Sequence, residues 1–424
     1  MPPTPVTPPT PATPPTPPPA AVTTAGQQST AQQPTARQSA APQSVAQRRA
    51  AYLGELAQGT DRFHEPRRPD CPWCGSARLR TRLRTPDLLQ HKPGTFVVDE
   101  CEDCAHAFQN PRLTTEGLAF YYRDFYENQD SGAERQGHDG ERHEHESFAE
   151  RTLRSRAGRR RHEAAARSML PFPEPESWLD VGTGHGHFPA AAKELFTYTS
   201  FDGLDPTSRV DKALAAGRVE EAHRGRLPDL AGRLRARYDV VSMFHHLEHS
   251  PDPREELRAA LAVLRPGGHL LVEVPDPDCA FGALLGKWWV SYCQPQHLHL
   301  MPLRNLLDEL DELGCSVVST DRREPHVPYD LTGALALAIG NRLPGGDEPW
   351  RPAPPTDLQR TLRTALTRAT APLLASAFVL DHALAPLLRR TRFSNAYRII
   401  ARKNPREHPG ENPGGASDFD AASL

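Results

Sequence analysis

Residues 179–188 read Leu179-Asp180-Val181-Gly182-Thr183-Gly184-His185-Gly186-His187-Phe188. The stretch closes a short apolar run that begins at Trp178 and opens a helical pattern that reaches Phe196. Glycines at such a strand-to-helix turn permit a sharp bend and let a ligand touch the backbone, while the helix start offers free N–H groups. The spacing is D-x-G-x-G-x-G, not the G-x-G-x-x-G that suits a pyrophosphate. Asp180 would repel a dinucleotide phosphate, and it suits a ligand that carries positive charge. A second acid, Asp205, lies nineteen residues after Gly186 at the end of the next apolar run, where a carboxylate can accept ribose hydroxyl hydrogens. S-adenosylmethionine (SAM) has both features, a ribose and a cationic sulfonium with an ammonium. The competing readings are a nicotinamide-dinucleotide loop and a purely structural turn.

Outward from the loop, strands and helices alternate. Ser200–Leu204, Tyr238–Phe244, His269–Val274 and Ser316–Thr320 read as strands. Ser208–Ala216, Pro253–Leu264 and Leu303–Leu313 read as helices. Such alternation predicts an α/β fold built on a parallel doubly wound sheet. A further strand is expected at Ala396–Ala401. Between them, 324–394 breaks the rhythm with apolar helical stretches, Leu331–Ile339 and Ala371–Leu388, and is expected to pack on the main domain as an insert or lid. Asp381, His382 and Pro386 argue against a membrane span there.

Two further signatures carry a family resemblance. Tyr238 to His249 reads YDVVSMFHHLEH, and Leu264-Arg265-Pro266-Gly267-Gly268 follows the next helix. With the glycine loop, the segment 170–323 resembles a class I SAM-dependent methyltransferase, in the branch of the ubiquinone-type O-methyltransferases. The resemblance implies a Rossmann-like sheet of seven strands. It implies that Asp180, Gly182, Gly184 and Gly186 hold the methionine part of SAM, that Asp205 holds the ribose, and that Phe244 and His245 lie where the fourth strand meets the cofactor. Many relatives carry an acid after the third strand for the adenine amine, whereas this chain reads His223-Arg224-Gly225-Arg226-Leu227.

A methyltransferase must align a nucleophile, exclude water and sometimes remove a proton. His246, His249 and His297 are the candidate catalytic bases, since all lie near C-terminal strand ends. The competing reading has His249 capping a helix and His246 packing. No Asn/Asp-Pro-Pro-aromatic segment follows the fourth strand, which disfavours methylation of an exocyclic amine. The connection Pro275–Met301, with Trp288, Trp289 and Tyr292, is expected to cover an acceptor pocket or to pack as core.

Ahead of this domain stand Cys71-Pro72-Trp73-Cys74 and Cys101-Glu102-Asp103-Cys104. Two C-x-x-C pairs separated by 26 residues fit one tetrahedral zinc ion, Cys71, Cys74, Cys101 and Cys104 being the ligands. A filled four-thiolate site has no open position, so this zinc is expected to be structural, on a ribbon whose strands are Ala77–Leu83 and Thr95–Glu100. A redox pair is the alternative. The arrangement resembles zinc-ribbon-fronted bacterial methyltransferases, including sugar C-methyltransferases. That resemblance implies that Tyr121, Tyr122 and Tyr126 lie against the SAM or acceptor pocket.

Residues 1–48 are Pro/Thr/Ala/Gln-rich, with eleven prolines in the first twenty positions and no acid before Glu55. Such a segment cannot bury enough apolar area to order itself, and it reads as a disordered tail, either idle or a dock for a protein partner. The expected organisation is tail 1–48, zinc ribbon and connector 49–130, SAM-binding domain 131–323, insert 324–394, last strand 395–403 and disordered tail 404–424. A net charge of −3 gives no basic surplus for nucleic acid. The Arg cluster of Arg151, Arg154, Arg156, Arg159, Arg160 and Arg161 keeps an RNA methyltransferase as a rival, and a non-catalytic scaffold is another. Seven cysteines, four of them in metal-type pairs, and no apolar leader point to the cytoplasm. The leading expectation is transfer of a methyl group from SAM to oxygen or carbon of a small molecule.

Overall fold

The computed structural model describes residues 45–125 and 148–405, the side chains of 148–157 excepted. Among the described residues the chain forms two sheets. The amino-terminal part contributes helix α1 (Val45–Leu56), strands β1 (Leu79–Thr85), β2 (Phe96–Cys101) and β3 (Ala107–Gln109), and helix α2 (Thr115–Tyr122). Helix α3 (Phe148–Arg167) leads into β4 (Ser177–Val181), α4 (His187–Ala192), β5 (Ser200–Asp205), α5 (Arg209–Ala215), β6 (Ala222–Arg224) and α6 (Leu227–Leu230). There follow β7 (Tyr238–Phe244), α7 (Pro253–Val263), β8 (Leu264–Pro275), α8 (Ala280–Leu285), β9 (His299–Leu300), α9 (Leu303–Glu312) and β10 (Cys315–Asp321). The last elements are α10 (Asp330–Gly340), α11 (Asp357–Leu388) and β11 (Ala396–Lys403).

The larger sheet has seven strands in the order β10-β11-β8-β7-β4-β5-β6. β4, β5, β6, β7 and β8 run parallel, while β11 is antiparallel to both β8 and β10. Both faces of the central strands are covered, so they read as continuous apolar runs. Trp178, Val240 and Leu271 face one core with Phe188, Phe201 and Ile400. Their chain neighbours Leu179, Val241 and Leu270 face the other with Leu257 and Leu306. This strict alternation follows from the two-residue period of a strand. α7 starts where the Asp252 carboxylate accepts from the Arg254 and Glu255 N–H groups, each at 3.0 Å, with Pro253 in the first turn.

The smaller sheet, β1-β2-β3-β9, crosses the expected boundary between ribbon and methyltransferase segments. β1–β2 is the cysteine-bearing hairpin, but β9 comes from residues beyond β8, through the pairs Ala107 with Leu300 and Phe108 with His299. The proline-rich segment also ends earlier than expected. α1 begins at Val45, and its Tyr52 packs edge-on against Phe120 and Trp350. The rest of that tail, Tyr126 in the polar connector, and the carboxy-terminal tail from 406 lie outside the described residues.

The insert departs from the sequence reading in one respect. It is helical, as α10 and α11, but α11 does not bury itself on the main domain: Asp381 is its buried residue. By length and composition alone α11, at 32 residues, could also cross a bilayer, which does not overturn the expectation of no membrane span. Asp381 hides this in the sequence, yet the fold turns it inward to accept from the Leu331 and Thr332 N–H groups at 3.1 and 2.8 Å.

Candidate functional site

The loop between β4 and α4 is built as the glycine spacing requires. Gly182, Gly184 and Gly186 all have left-handed φ, at 76°, 52° and 72°. At Gly182 a Cβ would stand 2.7 Å from His246 Nδ1, and at Gly186 3.0 Å from the Ala213 Cβ, so both need glycine. The Gly182 and Thr183 N–H groups donate to the Leu204 carbonyl at 2.8 and 3.1 Å, tying the loop to β5.

Asp180 is buried at the end of β4, where its Oδ1 accepts from the Ser242 hydroxyl at 2.7 Å. Trp178 Nε1 donates to the same Ser242 oxygen at 2.9 Å, fixing its rotamer. Burial pushes the Asp180 carboxyl up to about 7, against hydrogen bonds from Ser242 and Thr183 that favour the carboxylate. Asp205, at the end of β5, is also buried. Its Oδ2 accepts from the Gly184 N–H at 3.0 Å, and its Oδ1 from the Thr207 N–H and hydroxyl at 2.8 and 2.5 Å. Arg209 Nη2 also reaches Oδ2 at 3.4 Å, so four donors share the carboxylate's roughly four acceptor positions, and a ribose hydroxyl there would displace this long Arg209 contact.

The carboxyl end of β7 carries His245, His246 and His249, His297 joins them from the connection after β8, and the four divide into two kinds. His245 has φ of +50°, the left-handed region in which a non-glycine residue is strained. Its Nδ1 is 3.0 Å from Glu248 Oε1 and its Nε2 3.4 Å from Glu273 Oε1. Burial and Arg161 oppose its charge, but the two carboxylates outweigh them and raise its pKa. His246 lies 3.7 Å from Glu256, whose pull against burial likewise raises its pKa. His249 and His297 go the other way, lowered chiefly by burial, His249 to about 3. These two rings meet edge-on, with centroids 4.7 Å apart, and ligand atoms of Glu248, His249 and His297 lie within 4.8 Å of one another.

Their hydrogen bonds come from the connection after β8. His297 Nδ1 is 2.7 Å from the Ser291 carbonyl, so this nitrogen carries the proton and Nε2 is the basic one. His249 Nδ1 is 3.0 Å from the Gln296 carbonyl and 2.8 Å from the Tyr122 hydroxyl. Tyr122 therefore reaches the histidine pair, whereas Tyr121 packs in the amino-terminal core and donates to the Pro93 carbonyl. Phe244 lies against Phe188, centroids 4.5 Å apart, on the core side of the sheet. Trp289 and Tyr292 are core residues, Trp289 donating to Asp330 at 2.8 Å, while Trp288 stays partly exposed.

Several participants were missed by sequence reasoning. Glu273 is 1% exposed inside β8, and it takes two hydrogen bonds from Arg398 at 3.0 and 2.6 Å and an ion pair from Arg161 at 2.5 Å. An acid and an arginine within otherwise apolar strands were the available signal. The Arg cluster on α3 is thus partly consumed, since Arg159 pairs with Glu163 and Glu194. At the end of β6, His223 is 3.0 Å from the Tyr238 hydroxyl, which donates to Asp202 at 2.8 Å, so this histidine serves the fold.

The four cysteines converge as their spacing implies. Cys71 and Cys104 sulfurs stand 3.6 Å apart, Cys74 and Cys101 3.5 Å, and all four lie within 4.8 Å of one another. Zinc–sulfur bonds of about 2.3 Å set tetrahedral edges near ~3.8 Å, so the donor set fits zinc. Each pair closes through one turn, Gly75 N–H to Cys71 O and Ala105 N–H to Cys101 O, both at 2.9 Å. Arg254 of α7 donates to the Trp73 carbonyl at 3.1 Å and so fastens this knuckle to the main sheet's helices.

Comparison with known proteins agrees with this geometry. A family profile described as a methyltransferase domain matches residues 148–320. A ubiquinone biosynthesis O-methyltransferase from Shigella boydii is 36% identical over 172 residues, which is 38% of this chain and 70% of that protein. Proteins of the same description from Marinobacter nauticus and Escherichia coli are 34% and 29% identical. Those matches take in 23% and 35% of this chain, and only 38% and 63% of the two relatives' own lengths. With this similarity lying over the acid-flanked glycine loop and a sheet of this topology, the chain belongs to the class I SAM-dependent methyltransferases.

Proposed function

We propose that the chain transfers the methyl group of SAM to an oxygen or carbon atom of a small molecule. The observation that supports this best is the acid-flanked glycine loop beside two neutral histidines, His249 and His297, near the end of β7. The sulfonium of the cofactor supplies a methyl group already activated for transfer. Asp180 offers its carboxylate to the cofactor's cationic end, and Asp205 accepts from the ribose. The backbone of Gly182, Gly184 and Gly186 leaves room for the methionine part.

His297 is the base in this reading. Its Nδ1 is committed to Ser291, which leaves Nε2 to take a proton from the acceptor. His249, held by Tyr122 and Gln296, positions that ring edge-on. His246 drops out of the base role, because Glu256 favours its charged form. The four cysteines hold a structural zinc that fixes the β1–β2 hairpin. The proline-rich tail serves as a dock for a protein partner. The RNA reading loses support, since Arg159 and Arg161 are engaged by glutamates.

The test is transfer of a labelled methyl group to a panel of phenols, catechols and sugars, with RNA as a further arm. Label is expected in a small-molecule acceptor. Label in RNA alone, or in no acceptor by a SAM-binding protein, overturns the proposal.

A further inference from the structure

Helix α11 displays an apolar surface that nothing in the described chain covers. Over Ala369–Leu388 its one charged side chain is Asp381, and that carboxylate is spent on the start of α10. Leu373, Val379 and Leu387 are 54%, 65% and 63% exposed, and only 6% of the most apolar window is buried.

The arrangement says what kind of surface would cover it. At about 100° per residue, Leu358, Leu362, Leu366, Leu373, Leu380 and Leu387 fall within roughly 80° of one helix face. Exposed Pro372, Ala375, Val379 and Phe378 widen the apolar surface well past that stripe. A partner helix covers a narrow seam and leaves charged flanks, so this breadth favours a lipid phase over a coiled coil. Exposed Arg368 stands before the apolar stretch, and exposed Arg389, Arg390 and Arg392 stand after it. With arginines at both ends, a second copy would meet like charge in either orientation. Residues 1–44 contain no Leu, Ile, Phe, Tyr or Trp, so that segment has nothing to lay on the stripe.

Both ends of α11 are tied to the body of the protein. Arg363 donates to the Pro344 carbonyl at 2.6 Å, and Leu388 packs with Phe393 against the core of Trp289 and Phe281. A spanning helix would carry its ends to opposite sides of a bilayer, whereas this one is held at both ends and, through Asp381, at the start of α10. Beside α10, Trp288 sits between Lys287 and Arg342, with cation-to-ring distances of 4.9 and 5.6 Å, a composition suited to the headgroup layer.

We propose that α11 is an in-plane docking surface for an anionic lipid bilayer, its leucine stripe among the acyl chains and its terminal arginines at the phosphates. The test is flotation of the full chain with vesicles of phosphatidylcholine alone and of equal parts phosphatidylcholine and phosphatidylglycerol. The wild type should float with the anionic vesicles and be released by salt. The triple variant Leu373→Glu, Leu380→Glu, Leu387→Glu should stay unbound while keeping its melting temperature, since all three sites are exposed. Arg389→Gln with Arg390→Gln should weaken binding about fivefold per arginine. The proposal is overturned if the wild type floats with neither vesicle, or if the leucine variant floats unchanged. A dimer that the leucine variant dissociates, without lipid binding, would also overturn it and assign the stripe to a second copy.

Discussion

The Ser242 hydroxyl donates to Asp180 Oδ1 at 2.7 Å, directly across the β4–β7 pair. This bond helps a buried carboxyl, raised to about 7 mainly by desolvation, to ionise at the place where a cationic ligand is expected. SAM should bind the carboxylate form, so its affinity should rise with pH through about 7, with proton release near that pH. In the free protein the sign is opposite. A raised carboxyl contributes stability below its ordinary range, and that contribution is lost as pH rises through about 7. Ser242→Ala should move the affinity midpoint upward and weaken SAM about tenfold at pH 7. Titration calorimetry in buffers of different ionisation heat checks this, and pH-independent affinity would contradict it.

The Glu273–Arg398 pair is a second point of leverage. Both side chains are buried, and Glu273 also meets Arg161 and His245. Burial opposes its charge, but these cations hold the Glu273 carboxyl well below the usual range. The stabilisation is therefore present above that range and is lost as pH falls through the depressed value. Glu273→Gln leaves Arg398 short of its main counter-charge and should cost about 3–5 kcal/mol, read by urea unfolding. A loss below about 1 kcal/mol would show that Glu324, which also pairs with Arg398, suffices.

The cysteine cluster should bind one zinc per chain. Cys74→Ser and Cys104→Ser should each abolish the metal and lower the melting temperature, as β2 and β3 pair onward to β9. SAM affinity should change little, because none of the four thiols lies in the glycine loop. Metal analysis and thermal unfolding with a chelator decide the matter. A metal-free protein with an unchanged melting point would remove the zinc assignment.

His297→Asn should lower methyl transfer by about a hundredfold or more while leaving SAM affinity unchanged. Tyr122→Phe should act more weakly, since it removes one of two hydrogen bonds at His249. Single-turnover assays beside SAM titrations separate the two effects. Equal loss of SAM binding in His297→Asn would make it a binding residue.

The central sheet was legible because its strands are buried on both faces, so Trp178–Val181 and Tyr238–Phe244 stand out as apolar runs before glycine or histidine. β6 was not predicted as a strand, because three residues, Ala222–Arg224, carry no period. β9 was invisible for the same reason, and with it the fusion of the cysteine hairpin to the main body. The histidines could be nominated from position alone. Their division into a pair with raised pKa and a pair with lowered pKa depends on burial and on Glu256 and Glu273, which only the fold brings beside them, whereas Glu248 is a near neighbour in the chain. The exposure of α11 was not legible, because Asp381 reads as a surface charge until its bonds to Leu331 and Thr332 show it to be the residue the helix buries.

The measurement that bears most directly on the account is calorimetric titration of SAM into the full chain, beside Asp180→Ala. The account predicts one site per chain in the wild type, and affinity weakened by roughly tenfold or more in a variant that still folds. A folded wild-type protein that takes up no SAM, or an Asp180→Ala variant that binds it equally well, would contradict the account.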